Sequence, residues 1–155
     1  MSIPLDQAVS DFSAIGTGGP FALADCRGQA LVLYFYPKDD TPGCTTESAA
    51  FRDLHAEFAA AGCRVLGVSR DSLASHQRFK NKLALPFDLL SDADEALCQQ
   101  FGVIKLKNMY GKQVRGIERS TFLIDANGVL RKEWRGVKVP GHADEVLAAA
   151  RASAR

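Results

Sequence analysis

Leu31 to Tyr36 is an uncharged run of apolar and aromatic residues that stops at Pro37, after which Thr41-Pro42-Gly43 delivers one cysteine, Cys44, to the start of a helix. Residues of this kind form a buried strand, and Pro37 and the Thr-Pro-Gly triplet end it. From Glu47 the apolar residues Phe51, Leu54 and Phe58 recur at helical spacing, and Gly62 supplies a stop. Cys44 therefore falls at or just before the first helical turn. Unpaired backbone N–H groups and the positive end of the helix dipole favour a thiolate there, so the position suits a reactive thiol.

The alternation continues along the chain. Strands are expected at Ala30 to Tyr36, Arg64 to Ser69 and Phe87 to Leu90, with helices over about 45–61, 72–83 and 92–101. Ser72 and Asp92 stand as N-caps, and Glu95 completes a capping box with Asp92. Gly16-Thr17-Gly18-Gly19 suits a hairpin or loop. Lys105 to Arg119 reads as a long polar stretch containing Asn108-Met109-Tyr110-Gly111. Ser120 to Asp125 then forms a strand, the Asp125–Gly128 turn closes a hairpin with Val129 to Trp134, and a helix over Ala143 to Ala152 ends the pattern. Such an order gives a partly parallel sheet covered by helices.

With 155 residues and 46% hydrophobic composition the chain is expected to form one domain over residues 1–155. Its net charge of +1 comes from interspersed acids and bases, which argues against a nucleic-acid or anionic-membrane partner. Neither a signal peptide nor a membrane-spanning run is visible, so a cytoplasmic protein is expected. Cys26, Cys44, Cys63 and Cys98 are too far apart for a zinc pattern or a disulfide framework and are expected to rest as thiols. His55, His76 and His142 lack metal-ligand spacing and read as solvated or partly packed residues, and Trp134 and the phenylalanines read as packing. No cofactor and no metal are expected.

Pro37, Thr41 and Cys44 in the spacing P-x-x-x-T-x-x-C, with Arg119 opening Arg-Ser-Thr-Phe-Leu-Ile-Asp, resemble the active-site pattern of peroxiredoxins. The Tyr-Pro-Lys-Asp loop, Pro-Gly-Cys-Thr-Thr-Glu, Gly-Val-Ser-Arg-Asp-Ser and Lys-Asn-Met-Tyr-Gly-Lys bring the chain nearest to the bacterioferritin comigratory protein, or Q-type, subgroup. The resemblance implies a thioredoxin-like α/β fold, with a central mixed sheet flanked by helices and an N-terminal β-hairpin. It also implies reduction of hydrogen peroxide and organic hydroperoxides through oxidation of Cys44 to a sulfenic acid. Thr41 would hydrogen-bond thiolate and peroxide, Arg119 would hold the thiolate and the oxygen that gains charge, and Pro37 would shield the sulfur. Glu47 would orient an arginine or serve as a favourable first-turn acid.

In this subgroup an internal resolving cysteine stands five residues beyond the peroxidatic one or on the next helix. Here those positions are Ala49 and Lys80. A one-cysteine mechanism follows, with thioredoxin, glutaredoxin or glutathione attacking the sulfenic acid. Should resolution be internal or between chains, Cys98 and Cys26 are the candidates. Cys63 and Cys98 read as small core residues, whereas Cys26, between Asp25 and Arg27, is expected to be the most exposed. Resemblance favours a monomer, with a dimer as the alternative.

Thiolate formation alone does not make a peroxidase. For any thiol, lowering the pKa from ~8.5 to ~6 raises the thiolate fraction at neutral pH roughly thirtyfold, and a Brønsted slope of ~0.5 takes back about fifteenfold. The rate must come from groups aimed at the O–O bond. Two other readings stay open. A thioredoxin-like dithiol oxidoreductase needs C-x-x-C, and Thr41 occupies its first cysteine position. A redox sensor would share the Cys44 chemistry without turnover.

Overall fold

Alternation of apolar side chains along the central strand decides the architecture. In β3 (Ala30–Phe35), Leu31, Leu33 and Phe35 point to one face while Val32 and Tyr34, with the following Tyr36, point to the other. Both faces must therefore be covered. The computed structural model describes residues 3–153 and shows how.

β3 pairs in parallel with β4 (Cys63–Ser69), which pairs in parallel with β5 (Leu89–Ser91). An N-terminal hairpin, β1 (Ser13–Gly16) and β2 (Gly19–Ala22), joins antiparallel to β5. On the other side of β3 lie β8 (Ser120–Ile124) and β9 (Leu130–Arg135), both antiparallel to their neighbours. The order is β2-β1-β5-β4-β3-β8-β9, the mixed sheet expected, with the expected hairpin at one edge.

The Val32–Tyr34–Tyr36 face is covered by α1 (Pro42–Asp53), α2 (His55–Ala60), α3 (Leu73–Leu83) and α5 (His142–Ser153), through Phe51, Phe58, Phe79 and Val146. Phe51 is fully buried and stacks on Tyr34 with ring centroids 4.7 Å apart. Burial of such a side chain stabilises by about 3 kcal/mol. Gly67 lets the Tyr34 ring cross β4, since a Cβ there would meet the Tyr34 Oη at 2.8 Å. The opposite face is covered by a 3-10 turn over Leu23–Cys26, by α4 (Ala96–Gln100), and by Val103 and Ile117 at the base of a separate hairpin.

Several elements depart from the sequence expectation. The helix expected over 45–61 begins three residues earlier and divides at Leu54, whose φ/ψ of −100°/3° leaves the helical basin. Ser72 caps α3 as expected, accepting from the Ser75 N–H at 3.2 Å. Asp92 and Glu95 do not form a capping box. Asp92 accepts from the N–H groups of Leu97 and Cys98 instead, at 2.9 and 2.8 Å. Glu95 adopts a left-handed conformation and turns its carboxylate to Arg70 and Arg115. The polar 105–119 stretch is a two-stranded hairpin, β6 (Ile104–Met109) and β7 (Lys112–Ile117), closed by Tyr110 and Gly111 at positive φ. That pair of left-handed residues matches the twist of a two-residue hairpin loop.

Candidate active site

The register between β3 and β8 builds the site. Phe35 stands opposite Ser120, so Arg119, one residue before β8, arrives beside the loop that follows Tyr36. Thr41 is extended at φ −89° and ψ 155° and occupies the cap of α1, Pro42 takes the first helical position, and Cys44 is the third residue of the helix. Proline suits that position because its missing N–H is one that a helix leaves unpaired. The first intrahelical bond runs from the Thr45 N–H to the Thr41 carbonyl at 2.9 Å. The amides of Gly43 and Cys44 therefore have no acceptor within the helix.

Cys44 is fully buried. One guanidinium bridges it to an acid: Arg119 Nη2 donates to the Cys44 Sγ over 3.4 Å and Nη1 donates to Glu47 Oε1 over 2.6 Å. Glu47 lies three residues beyond Cys44 on the same helix face. Its carboxylate is 1% exposed, and Oε2 has no hydrogen-bond partner among the described residues. Burial pushes the Glu47 carboxyl up to about 7, against the pull of the Arg119 charge and hydrogen bond. Burial also disfavours the Arg119 cation, yet the charges of Glu47 and Cys44 and the hydrogen bonds to both hold it above its ordinary value. Gly43 leaves room for the guanidinium, because a Cβ there would stand 3.1 Å from Arg119 Nη2. The Thr41 hydroxyl donates to the Lys38 carbonyl at 2.9 Å and makes no cap bond to the helix. Pro37 is half-buried at the head of the loop.

Cys44, Thr41, Arg119, Pro37 and Glu47 thus gather at the C-terminal end of the parallel strands. Cys26 and Cys98 do not join them. Both belong to the cluster with Leu31, Leu33 and Phe35, across the sheet from Cys44. Nor is Cys26 exposed as expected: it is 4% exposed, because the 3-10 turn that carries it rotates its side chain into the core while Asp25 and Arg27 remain outside. Burial raises the Cys26 thiol against the influence of Arg64, and burial raises Cys98 as well. Cys63 shares the Cys44 face but lies opposite Ala30. Six residues of strand separate Ala30 from Tyr36, a span of roughly 20 Å. Burial pushes the Cys63 thiol up to about 12. All four cysteines are free.

Two histidines also differ from expectation. His142 is buried, with Nε2 2.7 Å from the Thr121 hydroxyl. His76 is fully buried and placed between Asp39 and the Leu90 carbonyl. Among the described residues the one grouping of metal-ligating side chains is Asp39, Asp71 and His76, whose ligand atoms lie within 4.8 Å of one another. These groups are already joined by hydrogen bonds within and around the grouping: Asp71 accepts from the Ser69 hydroxyl and the Asp39 N–H, His76 Nδ1 faces Asp39 Oδ2, and Nε2 faces the Leu90 carbonyl.

The model of the AhpC/TSA family matches residues 5–133. The chain is 61% identical over 128 residues to Peroxiredoxin Bcp of Xanthomonas campestris, an alignment covering 83% of this chain and 80% of that one. The chain is a peroxiredoxin of the AhpC/TSA family. This peroxiredoxin is also 51% identical over 148 residues to Peroxiredoxin Bcp of Bacillus subtilis, covering 95% and 94% of the two chains. Among solved structures, Xanthomonas campestris Peroxiredoxin Q superposes with a TM-score of 0.89 at 56% identity over 93% of this chain and 92% of that one. A PrxQ variant of Xylella fastidiosa superposes with a TM-score of 0.94 at 44% identity, over 100% and 99%. The peroxiredoxin is therefore of the bacterioferritin comigratory, or Q, type, with the thioredoxin-like fold and the thiol-dependent peroxidase activity of its family.

Proposed function

We propose that Cys44 is the peroxidatic thiol and that the peroxiredoxin works with one cysteine, resolved by an external thiol. The observation that carries this reading is the bridge of Arg119 from Glu47 to the Cys44 Sγ, with every other cysteine either across the sheet or far along it. The Cys44 thiolate attacks the terminal oxygen of the hydroperoxide. An S–O bond forms, the O–O bond breaks, and the leaving oxygen takes up the hydroperoxide proton and departs as water or alcohol, leaving a Cys44 sulfenate that a solvent proton converts to the sulfenic acid. Arg119 and the Gly43 and Cys44 amides stabilise the charge that moves onto oxygen. The Thr41 hydroxyl, donating to Lys38, accepts a hydrogen bond from the peroxide. Pro37 closes the turn over the sulfur.

A first thiol then attacks the sulfenic acid, releasing water and leaving a mixed disulfide, and a second thiol displaces Cys44 as a free thiol. Thioredoxin, glutaredoxin or glutathione supplies these thiols. Because Cys44 is fully buried, the first turn of α1 unwinds for this step, which Gly43 eases. Substrates are hydrogen peroxide and organic hydroperoxides. Crystal structures of the Xanthomonas campestris bacterioferritin comigratory protein are described in terms of alkyl peroxide reduction. We place the chain in the cytoplasm as one domain over 1–155, monomeric, with a dimer as the alternative. No helix among the described residues is long and apolar enough to cross a membrane. Steady-state turnover with hydrogen peroxide tests the reading. Thioredoxin, glutaredoxin or glutathione should support activity in the wild type and in Cys26→Ser, Cys63→Ser and Cys98→Ser variants, and none should support it in Cys44→Ser. A single turnover that no reductant renews would mark a sensor instead.

A further inference from the structure

Asp39, two residues before Thr41, ties the active-site loop to the rest of the molecule. Its Oδ1 accepts from the Tyr36 hydroxyl at 2.6 Å, and its Oδ2 accepts from the Ser75 hydroxyl at 2.8 Å and faces His76 Nδ1 at 2.7 Å. Its N–H donates to Asp71 Oδ2 at 2.9 Å. His76 continues the chain of contacts to an interior strand of the sheet, with Nε2 2.9 Å from the Leu90 carbonyl. The Leu90 carbonyl can only accept, so His76 Nε2 donates to it while Nδ1 faces the Asp39 carboxylate. Burial opposes the Asp39 charge, yet hydrogen bonds from His76, Tyr36 and Ser75 hold its carboxyl below the ordinary range. One loop residue is thereby locked to α3 and, through His76, to β5.

The loop residue held next to this anchor is Lys38, whose carbonyl takes the Thr41 hydroxyl. A threonine at a helix cap ordinarily accepts from the N–H three residues on, which here belongs to Cys44. Thr41 makes no such bond. We propose that the buried Asp39–His76 pair is a positioning device for the active-site turn: by pinning the Lys38–Asp39 segment to α3 and β5, it holds the Lys38 carbonyl where it draws the Thr41 hydroxyl off the helix cap, leaving the Cys44 amide open to the peroxide oxygen. His76 and Asp39 are positioning residues, acting through Thr41. Without the pair, the loop relaxes and Thr41 falls back to the ordinary cap bond, which occupies both the hydroxyl and the amide. This inference rests on the peroxidatic reading of Cys44 and Thr41 given above.

The test is the second-order rate of the reduced full-length protein with hydrogen peroxide, read by stopped flow, beside the rate of Cys44 alkylation by iodoacetamide. Alkylation needs the thiolate but neither the Thr41 hydroxyl nor the Cys44 amide. His76→Leu is expected to slow the peroxide reaction about 10- to 100-fold, with alkylation within about twofold of wild type. His76→Asn, whose amide nitrogen takes the Nδ1 position, should recover most of the loss. In a Thr41→Val background His76→Leu should add almost nothing, and the Cys44 amide should exchange more slowly in His76→Leu than in wild type. If His76→Leu does not fold, Tyr36→Phe and Ser75→Ala, which each remove one hydrogen bond from a neutral donor to Asp39, decide instead, each with a loss of about threefold or more. An unchanged peroxide rate, an equal fall in alkylation, or losses that multiply with Thr41→Val would overturn the proposal. A wild type inert to peroxide, or a Thr41→Val variant as fast as wild type, would overturn it by removing the reading beneath it. A wild type and Thr41→Val that behave as expected while His76→Leu is unimpaired would remove the device alone.

Discussion

Glu47 grips Arg119 from the side away from solvent, Oε1 to Nη1 at 2.6 Å, while the same guanidinium reaches the Cys44 Sγ at 3.4 Å. The charge on this one acid therefore controls how firmly the arginine is held. With the Glu47 carboxyl at about 7, the charge is lost as pH falls through neutrality. The ratio of peroxide rate to iodoacetamide alkylation rate, which removes the thiolate contribution, should fall in wild type between about pH 8 and 6. In Glu47→Gln that ratio should be lower, by about tenfold at pH 8, and flat over the same window. A ratio independent of pH in wild type would contradict the role.

Stability should move the opposite way. The unfolded acid titrates near ~4.3, well below its folded value of about 7, so the native state binds the additional proton. This contribution is fully present below ~4.3 and is lost as pH rises through 7. Urea unfolding should show Glu47→Gln gaining stability relative to wild type by about 3 kcal/mol between pH 4 and pH 8. Parallel pH profiles for the two proteins would show that the buried acid is already charged in acid.

Gly43→Ala should separate stability from activity. Alanine in the first turn favours the helix by up to about 1 kcal/mol, but its Cβ would stand 3.1 Å from Arg119 Nη2 and displace the guanidinium by a few tenths of an ångström. The expected variant melts no lower than wild type and reacts with peroxide several-fold more slowly, with alkylation of Cys44 unaffected. A slower alkylation to match would place the damage in the thiolate instead.

What was legible in the sequence follows from where the physics is local. The β3 run, the break at Pro37 and the helix carrying Phe51 and Phe58 each depend on neighbouring residues, and they place Cys44 within a residue or two. Arg119 came only from the family resemblance, because its approach to Cys44 depends on Phe35 meeting Ser120 across β3 and β8, which no local pattern reveals. Cys26 reads as exposed because its charged neighbours dominate a linear reading, whereas a 3-10 turn rotates adjacent side chains about 120° apart. His76 carries a usable signal. With Phe79 and the partly buried Leu83 it lies on the inward stripe of α3, and a histidine on such a stripe needs polar partners, here Asp39 and Leu90. Glu95 reads from sequence as the partner of Asp92 in a capping box because its left-handed backbone and its pairing with Arg70 and Arg115 arise only after folding.

Arg119→Ala and Thr41→Val should each slow the peroxide reaction by about 10²- to 10³-fold at saturating reductant and limiting peroxide. Neither loss should be recovered by raising the pH, since the thiolate fraction accounts for only about twofold. Near-normal rates at any pH would shift the catalytic weight onto the Gly43 and Cys44 amides.

The account stands or falls on which sulfur meets the peroxide and whether any other sulfur answers it. Peptide-level mass spectrometry of the reduced protein after one equivalent of hydrogen peroxide, with a sulfenic-acid trap present, reads both at once. Trapped sulfenic acid on Cys44, with Cys26, Cys63 and Cys98 still free thiols, is the expected result. A disulfide joining Cys44 to any of the three would contradict external resolution, and an unmodified Cys44 would contradict its assignment as the peroxidatic thiol.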